Sequence, residues 1–515
     1  MPLSYNLNPC FLVMKYDNIP PAPSAMLESM RAYGYSLPMA VADLIDNSIS
    51  ASASTVWLNF HWGGPDSWIS IIDNGKGMTE DRLVTAMRLG SQSPLEVREE
   101  SDLGRFGLGL KTASFSQCRR LTVKTLQDGV EAVRCWDLDF IAENARHNRD
   151  EWLLLRSAAE GSESKTVLPA ELKSGTVALW EGLDRIVDDS PVSDDEAQRI
   201  FYRHIDRVKC YLAMVFHRFL EGNSPRLQLY VNGIEAHKRI LAWDPFLVNH
   251  SCTVKTPEEP ITVNGHTVSV RGYILPHKNK LEKEEHQKAS GPEGWNAQQG
   301  FYVYRNQRLL VSGSWLGLGR NHPWTKEEHY KLARIRVDIP NSMDQEWQID
   351  VKKSIAIPPP VIRGYLLELA KEVRQIARSV FAHRGKYGSR PPRADIVRPW
   401  IPKIRRGRPV YLIDRKNPLV QEAIRVTGEN KEVIDNLLKV IEETVPIQQI
   451  WLDTSEKPDS HMLPFEDKTK KEVRLIICCA YEALLTKGLA PEEAKDDLSR
   501  REEYAEYQDL IQSLE

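Results

Sequence analysis

Several things are scarce or missing in this sequence of 515 residues. No C-x-x-C pair occurs. The seven cysteines (Cys10, Cys118, Cys135, Cys210, Cys252, Cys478 and Cys479) are odd in number and scattered, which argues against a disulfide framework or a cysteine zinc site and for a reducing compartment. Long apolar runs are absent as well. The most apolar stretch, VRLIICCAYEALL at 473–485, is too short for a membrane span and carries charges. The first residues lack the basic, apolar and small-residue regions of a secretory leader, so the expected home is the cytoplasm, with no membrane partner. A large excess of charge of one sign is missing too. A formal net charge of −3 excludes a globally basic nucleic-acid binder, so any phosphate contact must be regional. What is present, 41% hydrophobic and 27% charged residues, is the composition of an ordinary globular protein, long enough for roughly two or three domains. No internal repeat is visible.

Along the chain, SAMLESMRAYG and SLPMAVADLIDNSISA read as two helices, the second opened by Ser36 and Pro38. TVWLNF and WISIIDNG alternate as strands, and a helix is expected at about 80–90. The charged loop PLEVREESD then leads into the glycine-rich GRFGLGLKTA. RLTVKTL, AVRCWDLDF, EWLLLRS and GTVALWEGLD continue as strands, and a helix from about Asp194 to Leu220 closes the first domain. RLQLYVNG, HTVSVRGYILP, GFYVYRNQRLLV and ARIRVDIP supply strands of a second domain, which ends in a helix at 360–382. Arg384 to Pro409 has the Arg, Lys, Pro and Gly content of an exposed linker. Beyond it, the strand PVYLID precedes helices around 430–444 and 468–487.

Three segments carry chemistry. On the helix from Ser36, Asp43 and Asn47 lie four apart and share a face, with Asp46 beside them. Taken alone, that face could be solvated surface. In IIDNGKGM, Asp73 ends an apolar strand where a carboxylate can accept a hydrogen bond from an exocyclic amine, and Gly75 and Gly77 follow where close backbone approach is wanted. Met78 completes that segment. A simple turn would use similar glycines. The run Gly104, Arg105, Phe106, Gly107, Leu108, Gly109, Leu110 and Lys111 enters a helix whose free N–H groups favour phosphate, with Lys111 as a mobile cation.

In order and spacing, ADLIDN, IIDNGKGM, GRFGLGLK and GTVALW resemble the four motifs of the gyrase, heat-shock-chaperone, histidine-kinase and MutL (GHKL) ATPases, in particular the bacterial MORC-like branch. The resemblance implies an α+β fold. A Bergerat-type α/β sandwich at 24–210 would follow an N-terminal strap at 1–23 and precede an α/β transducer domain at 211–383, the basic linker at 384–409 and a mainly helical dimerisation or partner-docking region at 410–515. It implies ATP and Mg2+ as cofactors. Asn47 becomes the metal ligand, Asp73 the partner of the adenine amine, Gly75 and Gly77 the pocket wall, Thr176 a water-mediated support, and 104–111 the phosphate wrap. The usual general base is glutamate. Here it is Asp43, one methylene shorter, so hydrolysis is expected to be slow or absent, with Asp46 as a helper that positions lysine or water.

FYVYRNQRLLV and QEWQIDVKKSIAIPPP resemble the transducer domain, from which a lysine reaches the γ-phosphate: Lys353 first, Lys352 second, or a strand end with two solvated lysines. Arg305 and Arg308 are read as structural or DNA-facing. No sensor, cleavage-tyrosine module or endonuclease motif is found, which sets aside histidine kinases, complete topoisomerases and MutL-type nucleases. The resemblance further implies an ATP-dependent homodimeric clamp of a genome-defence system, with Tyr5, Asn6 and Phe11 in an exchanged strap and nuclease or helicase partners. The linker's Arg384, Lys386, Arg390, Arg393, Arg398, Lys403, Arg405, Arg406 and Arg408 face only Asp395 there and suit the backbone of double-stranded DNA, although an acidic protein would fit them too. Trp451 and Phe465 are either docking anchors or core. The alternative to a clamp is a non-hydrolysing nucleotide switch that recruits proteins.

Overall fold

The computed structural model describes residues 17, 19, 21–90, 109–147, 149–319, 322–350, 352–353, 355–382, 397–405, 408–456, 464–504 and 506–514. These fall into two compact units, Met1–Ser379 and Val380–Glu515.

The first unit begins with α1 (Pro23–Arg31), α2 (Leu37–Ser50), β1 (Thr55–His61), β2 (Trp68–Asp73), α3 (Glu80–Met87), α4 (Gly109–Phe115), β3 (Arg120–Gln127) and β4 (Val130–Asp137). There follow α5 (Leu138–Arg146), β5 (Gly175–Glu181), α6 (Asp195–Val215), α7 (His217–Leu220) and β6 (Gln228–Val231). The strands form one sheet in the order β4-β3-β5-β2-β1-β6, antiparallel apart from the parallel pair β1 and β6. β1 buries alternate residues Val56, Leu58 and Phe60, as period two requires, whereas the interior strand β2 is buried along most of its length. The buried stripe Phe201, Ile205, Val208 and Leu212 has helical spacing and turns α6 toward α2, which also packs on α4.

The unit continues with β7 (Val254–Lys255), β8 (Glu259–Val263), β9 (His266–Ile274), α8 (Lys283–Ala289), β10 (Gly300–Arg305), β11 (Arg308–Ser314), β12 (Ala333–Ile339) and α9 (Pro360–Ala382). A second sheet runs β11-β10-β12-β9-β7, with β8 also on β9 and β10 parallel to β12. Asn306 and Gln307, at φ 47° and 70°, make the tight turn that joins β10 to β11 and sets Arg308 opposite Arg305.

The second unit holds the hairpin β13 (Trp400–Arg405) and β14 (Arg408–Ile413), then α10 (Pro418–Thr427), α11 (Lys431–Glu443), α12 (Ile447–Glu456), α13 (Lys470–Thr486), α14 (Pro491–Arg500) and α15 (Gln508–Gln512). Val473, Ile477, Tyr481, Leu484, Leu498, Tyr504 and Ile511 form its core, against which Phe465 packs. The molecule is thus a mixed α+β protein with a helical C-terminal region. Among the described residues no helix is long and apolar enough to cross a membrane.

Several expectations need correcting. The boundary at 210 falls inside α6, and QLYV, assigned to the second domain, is the last strand of the first sheet because it pairs in parallel with β1. LDF opens α5 instead of ending a strand, since Asp137 caps that helix by accepting the N–H groups of Asp139 and Phe140. EWLLLRS keeps a single bridge, Leu155 to Cys135, and is no strand. The linker is in part a hairpin, so its expected end at 409 lies within β14. The strap residues 1–16, the phosphate loop 104–108, linker residues 384–396, 406 and 407, and the side chains of Arg408 and Trp451 lie outside what is described.

Candidate functional site

The site is built on α2. Ser36 occupies its N-cap and Pro38 its first turn, and the helix is apolar on nearly every side, so its acidic residues have little access to water. Asp43 and Asp46 are 3% and 1% exposed, whereas Asn47, one turn beyond Asp43, is exposed. Buried carboxylates need partners. Tyr35, just ahead of the helix, donates its hydroxyl to Asp43 Oδ2 at 2.9 Å. The other partners come from far along the chain. Lys353 Nζ donates to Asp46 Oδ2 at 2.5 Å and to Asp43 Oδ1 at 3.2 Å. Arg308 Nε donates to both Asp46 oxygens at 3.3 and 3.2 Å, and its Nη2 lies 3.9 Å from Asp43 Oδ1. Two carboxylates and two cations therefore balance inside the fold. Burial alone would push the Asp46 carboxyl up, but the facing Arg308 and Lys353 outweigh it and hold Asp46 below the ordinary carboxylate range. Burial and the Asp43 charge push the Tyr35 phenol well above its ordinary range, which keeps it a donor.

The second part of the site is the end of β2. Asp73 pairs with Thr176 of β5 and accepts the Gly75 N–H at 2.8 Å and the Ser48 hydroxyl of α2 at 3.0 Å. Burial pushes its carboxyl up despite those bonds and one from the Thr176 backbone. The loop after it is pinned to the turn behind α2, where Asn74 Oδ1 accepts the N–H groups of Ser54 and Thr55 at 2.9 Å and the Lys76 N–H reaches Ala51 O at 3.0 Å. Gly77 sits at φ 66°, and a Cβ there would lie 2.0 Å from Leu126 O, so only glycine fits. Met78 donates its N–H to Thr125 Oγ1 at 2.9 Å, and that hydroxyl lies 3.4 Å from Thr176 Oγ1. Asp73, Gly75, Gly77, Met78 and Thr176 therefore gather at one end of the sheet beside α2.

Not every candidate arrives there as expected. Lys111 is not a mobile cation: it is 2% exposed, donates to Ala86 O at 2.8 Å, and burial lowers its amine to about 8. Leu110 is half-buried against the core, and Gly109 opens α4 beside Asp43. Gly104, Arg105, Phe106, Gly107 and Leu108 lie outside the described residues. Of the two lysines, Lys353 reaches the carboxylates, while Lys352 is half-buried and forms no part of the cluster. Arg305 is buried against Asp344 at 2.5 Å, so it is structural and not DNA-facing. Arg308 is likewise buried and structural, not DNA-facing. It belongs to the carboxylate cluster, because the tight turn at 306–307 aims β11 back at α2. Tyr35, which pattern reading does not single out, and Arg308, which it does not connect with α2, are the further residues that the structure brings to these carboxylates. Tyr35 stands eight residues before Asp43, outside any motif, and Arg308 bonds across 262 positions.

The donors also allow a test for magnesium. Among the described residues no three His, Cys, Asp or Glu side chains cluster to cage a metal by themselves. An exposed Asn47 amide beside buried, already paired carboxylates fits a hard ion that takes most of its oxygens from a bound triphosphate.

Residues 35–168 match the family described as histidine kinase-, DNA gyrase B- and HSP90-like ATPase. The chain is similar to ATPase morc-1 of Caenorhabditis elegans, with 29% identity over 91 residues, which is 18% of this chain and 10% of that protein. It is also similar to the DNA mismatch repair protein MutL of Dictyoglomus thermophilum, with 34% identity over 95 residues, 18% of this chain and 16% of that one. Both similarities therefore cover a small part of either partner. Residues 35–168, which carry Asp43, Asn47 and Asp73, are accordingly a GHKL ATPase domain of the MORC/MutL type.

Proposed function

We propose that the chain is a Mg-dependent ATPase and an ATP-gated homodimeric clamp that acts on double-stranded DNA. The observation that carries this reading is Lys353, which stands 310 positions from Asp43 and bonds both it and Asp46. A lysine so placed ties the state of the nucleotide site to the second sheet. Adenine is held at Asp73, its amine donating to the carboxylate, with Thr176 supporting that contact. Asn47 offers the metal its amide oxygen, and magnesium, when bound, neutralises phosphate charge. Asp43 is the general base. It takes one proton from a water whose oxygen bonds to the γ-phosphorus, the bond from that phosphorus to the bridging oxygen breaks, and ADP and inorganic phosphate result.

Before that, Lys353 must leave Asp43 Oδ1, and a γ-phosphate is the anion that competes for it. Nucleotide would thereby shift the balance between two arrangements of Lys353, and through it the residues around it. Lys403 and Arg405, exposed on β13, extend the basic stretch that suits a DNA backbone. The resemblance to MORC-like proteins supports a place in genome defence beside a nuclease or helicase.

A second reading, a nucleotide switch without turnover that recruits proteins, is favoured by the short Asp43 side chain with both its oxygens already bonded. Sedimentation with and without a non-hydrolysable ATP analogue and Mg2+ tests the clamp. A monomer-to-dimer shift is expected, and a monomer under both conditions refutes it.

A further inference from the structure

Asp43 has two oxygens with different neighbours. Oδ1 faces cations that an incoming phosphate can draw away, whereas Oδ2 is bonded to a neutral phenol. That phenol is itself anchored. The Tyr35 backbone carbonyl accepts from Gln117 Nε2 at 3.0 Å, and Thr112 of α4 stands beside the Tyr35 hydroxyl. A phenol has a single hydrogen, which goes to the acceptor-only carboxylate, while the Thr112 hydroxyl donates to the Gly109 carbonyl at 3.4 Å and braces the start of α4 beside the phenol. Tyr35, Thr112 and Gln117 are 7%, 1% and 4% exposed, so water competes little for these bonds. Gly109, at the start of the same helix α4, lies against the bonded oxygen, where a Cβ would stand 3.6 Å from Asp43 Oδ2. The chain of contacts runs from α4 through Tyr35 to one oxygen of Asp43.

We propose that Tyr35 is a positioning residue for Asp43: held through its backbone by Gln117 and packed beside Thr112, it fixes the carboxylate through Oδ2 and leaves Oδ1 to take the proton from water. This rests on Asp43 being the base. An aspartate is one methylene shorter than the glutamate usual at this position, and a proton acceptor must come within about 2.6–3.2 Å of its donor. A carboxylate fixed by one oxygen presents the other in a constant direction once Lys353 departs. Tyr35 touches neither water nor nucleotide in this scheme and acts through Asp43 alone.

The test is steady-state ATP turnover, with titration of a non-hydrolysable analogue, on the full chain and on Tyr35→Phe, Thr112→Val, Asp43→Asn and the Tyr35→Phe/Asp43→Asn pair. Tyr35→Phe keeps the ring and should lower kcat about tenfold, a part of the roughly 10²–10⁴ that a general base contributes. KM and analogue affinity should stay within about twofold. Thr112→Val should move kcat the same way by less, and Tyr35→Phe should cause no further loss in the Asp43→Asn background. A wild-type kcat in Tyr35→Phe beside an inactive Asp43→Asn refutes the positioning role and leaves the base standing. Loss of analogue binding in Tyr35→Phe also refutes it, because the hydroxyl would then serve binding. An absence of turnover in the wild-type chain, or a wild-type rate in Asp43→Asn, removes the base and the positioning role together.

Discussion

Lys353→Met removes one of two cations from a buried group of four charges. Asp43, Asp46, Arg308 and Lys353 are 3%, 1%, 1% and 7% exposed, and their charges sum to zero. The lysine amine lies 2.5 Å from Asp46 and 3.2 Å from Asp43, and methionine fills a similar volume with no donor. Of the paired cations only Arg308 then remains beside the two carboxylates, with the Arg305 charge acting on Asp46 as well. Breaking a buried pair by removing one partner costs about 3–5 kcal/mol, because a charge is left without compensation away from water. The expected fall in unfolding free energy at pH 7 is of that size, read from denaturant midpoints at a constant slope. Lys353→Met/Asp46→Asn leaves one cation with one carboxylate and should recover most of the loss. The pH dependence has a definite sign. Asp46 is held below its ordinary value of 3.8, so its paired charge stabilises the fold fully above that value and does so less as pH falls through the folded-state value. The gap between wild type and Lys353→Met should therefore narrow below pH 3.8. A Lys353→Met protein within about 0.5 kcal/mol of wild type at pH 7, the range of ordinary surface substitutions, would refute the cluster as the reason for this arrangement.

Two further substitutions separate binding from folding. Asp73→Asn should weaken ATP about tenfold or more, because the adenine amine loses its anionic acceptor. Since burial raises Asp73 above 3.8, ionisation in the unfolded chain costs wild type stability as pH rises from that value toward the folded one. Asp73→Asn should lack that pH-dependent loss, and parallel stability profiles for the two proteins would contradict it. Gly77→Ala should cost about 2–4 kcal/mol, since the new Cβ meets Leu126 O at 2.0 Å in a backbone of φ 66°. Thermal melts check it, and an unchanged melting temperature would show that the loop after β2 can move aside.

Much of this site was legible because its first part is local. Asp43, Asp46 and Asn47 follow from helical spacing, and Asp73, Gly75 and Gly77 from a strand that ends in a turn. Lys353 came from the order of elements in the resemblance, since spacing carries no signal across 310 positions. What was missed is where local and distant cues part. Arg308 reads as structural or DNA-facing, and only the packing of β11 against α6 and the bonds to Asp46 decide that it is buried. Lys111 looked like a phosphate ligand because a glycine-rich run precedes it, yet its place on α4 turns the amine toward the end of α3. The strand β6 reads as part of the second domain because a parallel partner 173 residues back, as in Val56 with Leu229, leaves no turn signal.

The role of Asp43 as the base is tested most directly by phosphate release from wild type and Asp43→Asn, measured beside analogue binding by the same two proteins. Binding should be equal, with release falling at least about a hundredfold in Asp43→Asn. Equal release by the two proteins would contradict that role.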